Sequence, residues 1–132
     1  MAENNNPLFT QVAVIGIAEI SDANTNRDGT GSIETVVTGS ANGTRINKIV
    51  IQAIVTTTAG IIRLYIFDGV ETTVLWKEVE VSAITVSGTV IGFNSIISLV
   101  GELALVLPNG YELKVSTHNA EAFKVFAHGG NY

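Results

Sequence analysis

The richest set of oxygen ligands in the chain is the run Asp22-Ala-Asn24-Thr-Asn26-Arg-Asp28-Gly29. Oxygen side chains at alternate positions ahead of a glycine are what a calcium loop uses, because Ca²⁺ takes six to eight hard oxygen ligands. Counting Asn24, Asn26 and Asp28 as ligands puts Gly29 at the sixth position, where the sharp turn belongs. The twelfth position is then Thr35 rather than a bidentate Glu. Moving the frame to use Glu34 puts Asp28 where the glycine should be. Asp22, Asn24, Asn26 and Asp28 are therefore kept as metal-ligand candidates, against the default of a polar loop joining two strands.

Other chemistry-bearing residues are sparse. Glu78 and Glu80 are spaced by two, so on a strand they share a face, as a glycosidase pair would. Solvated strand charges are the competing reading. Trp76 falls on that same face by count, as a sugar platform or as a core residue. A tight hairpin around Asn119-Ala120 would put His128 opposite the start of the preceding strand, roughly 24 Å from His118. There is no Gly-x-Ser-x-Gly elbow, phosphate loop or His-Glu-x-x-His helix. No catalytic residue and no cofactor is expected, and the chain reads as a non-enzyme.

These residues sit in an unusual composition. The chain has 132 residues, enough for one domain, with 7 basic and 12 acidic side chains and a net charge of −5. Cysteine is absent, which removes thiol nucleophiles and zinc–thiolate sites. Arg27, Arg45, Lys48, Arg63, Lys77, Lys114 and Lys124 are scattered singly, so no nucleic-acid partner is expected. Every apolar run is broken early and the N-terminus has no cationic stretch before an apolar one, so neither a membrane partner nor a signal peptide is expected. Only 14% of residues are charged, against about 25% in ordinary soluble domains. A surface of Thr, Ser, Asn, Gly and aliphatic groups suits a protein that spends its life packed in an assembly.

Val, Ile and Thr make up about a third of the chain and favour a pleated sheet. Strands are predicted over residues 11–20, 32–38, 44–57, 61–67, 72–83, within 89–99, and over 102–107, 111–117 and 122–128. That is an all-β fold: a single antiparallel β-sandwich or jelly-roll-like domain of about eight to nine short strands over residues 11–132. Residues 1–10 read as an extended N-terminal arm. Asn42-Gly43, Asp68-Gly69 and Asn109-Gly110 each carry a hairpin-turn signal. The strand over 111–117 alternates: Leu113, Val115 and Thr117 face the core, and Glu112, Lys114 and Ser116 face solvent.

The strand over 44–57 is apolar on both sides, with Ile49, Ile51, Ala53 and Val55 on one and Val50, Gln52, Ile54 and Thr56 on the other. Its second face is covered either by the chain's own loop or N-terminal segment, or by a neighbouring subunit. Leu8 and Phe9 on the arm, with Val50 and Ile54, are the candidate partner contacts.

Several blocks resemble those of small virion structural proteins of tailed bacteriophages. They are Thr25-Asn-Arg-Asp-Gly-Thr-Gly31, Asn42-Gly-Thr-Arg-Ile-Asn-Lys-Ile49, Thr56-Thr-Thr-Ala-Gly-Ile-Ile-Arg-Leu-Tyr-Ile-Phe-Asp-Gly69, Leu107-Pro-Asn-Gly-Tyr-Glu-Leu-Lys-Val-Ser116 and the ending Gly129-Gly-Asn-Tyr132. The resemblance implies a head auxiliary, or decoration, protein, with crAss-like gut phages as one home. Such a protein sits on the major capsid protein or other virion proteins, commonly as a homotrimer, and is located in the virion after assembly in the host cytoplasm. A tail, baseplate or head-fibre-base component is the alternative within that class. From another class, a carbohydrate-binding module would need Trp76, Tyr65 and Tyr111 on one exposed platform.

Overall fold

A computed structural model describes residues 9–100 and 104–132. The residues described form nine strands and no helix: β1 Val12–Ile20, β2 Glu34–Thr38, β3 Thr44–Ala53, β4 Gly60–Phe67, β5 Thr73–Val81, β6 Asn94–Ser98, β7 Leu105–Leu107, β8 Glu112–Thr117 and β9 Phe123–Asn131. They make two antiparallel sheets packed as a sandwich. One is five-stranded, in the order β1-β9-β3-β6, with β7 also on β3; the other is four-stranded, β2-β8-β4-β5. The expected all-β sandwich is what the chain adopts. The arm over residues 1–10 lies, but for its last two residues, outside the described residues, as does Leu8.

Alternation builds the core. Ile49 and Ile51 of β3, Val125 and Ala127 of β9, Ile62 and Leu64 of β4, and Leu113 and Val115 of β8 are all fully buried between the sheets. Phe123 meets Phe93 edge-on, with centroids 6.4 Å apart. Along one side the sandwich closes by close backbone approach. Val36 bulges out of β2, and a Cβ on Gly16 of β1 would run into its carbonyl. A larger side chain at Gly16 would wedge the two sheets apart.

Only one of the three expected hairpin turns closes a hairpin. At Asp68-Gly69, β4 returns as β5, and the Asp68 carboxylate accepts the backbone N–H of Val70, Glu71 and Thr72 at 2.9–3.1 Å. Those N–H groups, Val70 first, hold Asp68 below the usual carboxylate range. At Asn42-Gly43 and Asn109-Gly110 the chain passes from one sheet to the other. In each it is the glycine, at φ 97 and 82, that takes the left-handed conformation, while the Asn does not. The expected hairpin around Asn119-Ala120 is also a crossing, because β8 and β9 belong to different sheets. A turn signal fixes the bend but not whether the next strand pairs with the last.

Candidate interaction surface

β9 runs through the five-stranded sheet between β1 and β3. Since Phe123, Val125 and Ala127 point into the core, Lys124, Phe126 and His128 point out. Register then fixes their neighbours. Phe126 stands opposite Ile17 on one side and Val50 on the other, and Val50 stands opposite Ile96. Ile17, Phe126, Val50 and Ile96 thus form one unbroken apolar row across four strands. Its ends are open, with Ile17 60% and Ile96 63% exposed, and Phe126 and Val50 are half-buried by their neighbours. One row over lie Ile15, His128, Lys48 and Ser98; on the other side lie Glu19, Lys124, Gln52 and Asn94. The face is an apolar stripe with a polar rim.

The second face of β3 is therefore not covered by the described part of its own chain. Val50 lies in the middle of the stripe. Ile54 lies beyond the end of β3, about half exposed, with its N–H donated to the Ala122 carbonyl at 3.2 Å. Phe9 is 81% exposed and lines, with Thr10, Arg45 and Asn47, a shallow recess. The singly scattered cations are partly gathered by the fold: Arg45, Lys48 and Lys124 all project from this sheet's outer side.

The four-stranded sheet is treated differently. Residues 21–32 cross its outer side as a strap. Asn24 N–H donates to the Thr117 carbonyl at 2.8 Å, and Ala23 bridges Thr117 in parallel. Beneath the strap Arg63, 3% exposed, donates to the Asn24 carbonyl at 3.3 Å, and the hydroxyl of the fully buried Tyr65 donates to the Asn26 carbonyl at 2.9 Å. Glu78 joins strap to sheet, accepting from Arg63 Nε at 3.1 Å and from the Arg27 guanidinium. Hydrogen bonding from Arg27 leads the effects that hold the Glu78 carboxyl below its ordinary value. A carboxylate kept ionised between two guanidiniums suits a clamp and not proton transfer.

The metal-ligand candidates lie in this strap. Asn24, nearly buried, accepts the Asn26 N–H at 3.0 Å through Oδ1 and donates through Nδ2 to the Thr30 and Ser32 carbonyls at 2.8 and 2.9 Å. Asn26 Nδ2 donates to Thr30 Oγ1 at 3.0 Å. Asp28 accepts the hydroxyl and N–H of Thr30, which lower its pKa, the hydroxyl most. Asp22 is exposed and lines a shallow recess with Glu19 and Glu34. Asn24, Asn26 and Asp28 thus brace the loop on itself.

The remaining candidates do not converge. A bulge opposite Leu64 and Tyr65 takes Trp76 out of step with Glu78, so it packs against the core cluster instead of sharing the carboxylate face. Tyr65 is buried and Tyr111 packs against the core, so the three aromatics form no exposed platform. His118 follows β8 and donates its N–H to the Ile61 carbonyl, while His128 is on the other sheet. Arg63 is the structural residue that sequence reasoning passed over. Its signal was a lone charge inside the apolar run of β4.

No protein-family model and no curated protein matches the chain. Among solved structures, a pentameric capsid protein isolated from metagenomic phage sequences aligns with a TM-score of 0.41 and 14% identity, over 87% of this chain and 58% of that one. Another pentameric capsid protein from metagenomic phage sequences, solved by iodide phasing, aligns at 0.40 and 12%, over 89% and 65%. The chain spans less than two thirds of the length of either.

Proposed function

We propose that this chain is a non-enzymatic structural protein of a tailed-phage virion, a capsid auxiliary protein that binds and stabilises the head shell as a homotrimer. The observation that carries the assembly role is the stripe of Ile17, Phe126, Val50 and Ile96, which none of the described residues covers. One sheet has its outer side strapped by residues 21–32, whereas the other leaves an apolar row facing outward. A low charge density over the whole chain fits a surface meant for packing. The resemblance of its sequence blocks to phage virion proteins supplies the kind of assembly.

The strand order supports the same reading. With β7 set aside, we read β1-β9-β3-β6 against β2-β8-β4-β5 as jelly-roll-like, an architecture used by viral capsid and lectin domains. The role is mechanical. Burying the stripe contributes about 25 cal/mol per Å² of apolar area, less the ordering costs of association.

The test is co-sedimentation of the purified chain with empty heads of the encoding phage. Saturable binding at a fixed copy number per head is expected. A chain that stays in the supernatant with heads but pellets with tails would overturn the head assignment, and one that pellets with neither would overturn the virion role.

A further inference from the structure

The outer side of the five-stranded sheet is cationic at its margins. Among the described residues it carries Arg45, Lys48 and Lys124 against a single carboxylate, Glu19, on a chain whose net charge is −5. The other cations are engaged elsewhere. Arg27 and Arg63 hold Glu78, Lys114 pairs with Glu112 at 3.7 Å, and Lys77 lies 5.4 Å over the Trp76 ring. Arg45, Lys48 and Lys124 form no ion pair among the described residues.

Charge decides what can cover this face. Two copies stacked on it about a twofold axis would set one cationic rim against another, and such like-charge contacts are strongly disfavoured. An acidic surface is available on the same chain. Glu19, Asp22 and Glu34 line the recess where β1 leads into the strap and the strap leads into β2. All three are exposed.

We propose that the outer face of the five-stranded sheet in one copy packs on the β1–β2 edge of the next, with Lys48 and Lys124 facing Asp22 and Glu34. This contact is head to tail, so it closes into a ring when its rotation allows. The size of the face agrees with a ring. Ala13, Gly130, Arg45 and Val106 add a fourth row, so four strands about 4.8 Å apart and four rows about 6.8 Å apart cover about 500 Å² per partner. The total of about 1,000 Å² is the floor for a specific interface, so an isolated pair is weak. A closed ring gives every copy two such contacts. The proposal rests on the reading that this sheet is buried in an assembly, and it names the occupant as a second copy of the chain.

The experiment is light scattering after size exclusion, on the full chain and three charge variants. The wild type is expected at a fixed multiple of 13.9 kDa. Lys48→Glu with Lys124→Glu, and separately Asp22→Lys with Glu34→Lys, should each weaken self-association about 100-fold and elute as monomer. Combining all four substitutions in one chain should restore the ring. Asp22, Glu34 and Lys48 are exposed and Lys124 is half-buried on the outer side, so melting curves close to wild type should confirm that each variant folds. Pairs of substitutions that leave the mass unchanged, or a fourfold variant that stays monomeric, would overturn the contact. A wild type that is monomeric alone yet binds heads would overturn the ring and leave the virion role standing. A ring that ignores both heads and tails would do the reverse.

Discussion

Phe126 of β9 and Val50 of β3 stand directly opposite each other on the outer side of the five-stranded sheet, each one step out of phase with the buried residues on its own strand. Val125 and Ala127 flank Phe126 in the chain and are fully buried, as are Ile49 and Ile51 around Val50. The pair therefore gives the sheet a second apolar layer that its own core does not use. Ile17 and Ile96 extend it to both edges. In a chain with so few charges, this layer is the feature that most needs a partner.

The strap over the other sheet depends on Asn24. Its buried carboxamide joins the backbone of Asn26, Thr30 and Ser32 through three hydrogen bonds. Asn24→Ala should cost about 1–3 kcal/mol, read from the urea midpoint, because three hydrogen bonds are lost together. Asp22→Asn, on an exposed side chain that makes no such bonds, should stay within about 0.5 kcal/mol of wild type. Equal effects of the two would contradict the brace.

Much of this fold was legible in the sequence, and the reasons are local. Period-two alternation located the strand of Leu113, Val115 and Thr117, and the apolar residues on both sides of β3 showed that its second face needs a cover, from its own chain or from a neighbour. Pairing was not legible. Asn42-Gly43 and Asn109-Gly110 read as hairpins, yet both carry the chain between sheets, because turn chemistry sets backbone dihedrals and not the choice of partner strand. Trp76 was placed on the wrong face since a one-residue bulge reverses alternation. The apolar row itself required register across four strands, all of them far apart in the chain.

Glu78 anchors a nearly buried guanidinium as well as an exposed one. Removing its charge by Glu78→Gln strands Arg63, which is 3% exposed, without an ionic partner. Removing Arg27 strands nothing buried, since that side chain is mostly in solvent. Thermal melts should therefore rank Glu78→Gln as clearly more destabilising than Arg27→Ala. The opposite order would mean that the strap is held chiefly from its exposed side.

Acid should loosen the molecule at these same points. Glu78, Asp68 and Asp28 all have folded-state pKa values below their ordinary ones. A depressed carboxyl stabilises the fold fully above its unfolded pKa, and that contribution is lost as pH falls through the folded value. Stability should hold level near neutrality and decline below about pH 4. A chain carrying Glu78→Gln and Asp68→Asn should be less stable at pH 7 but show a shallower decline. An unchanged acid profile in that variant would assign the pH dependence to other groups.

The most direct test of the central claim is the effect of Ile17→Thr with Ile96→Thr on head binding. Both positions are exposed ends of the stripe and threonine suits a strand, so the melting temperature should be nearly that of wild type. The account predicts that this folded variant no longer pellets with empty phage heads and no longer self-associates. A variant that binds heads and assembles as the wild type does would contradict it, and would mean that the outer face of the five-stranded sheet is not where this protein meets its partners.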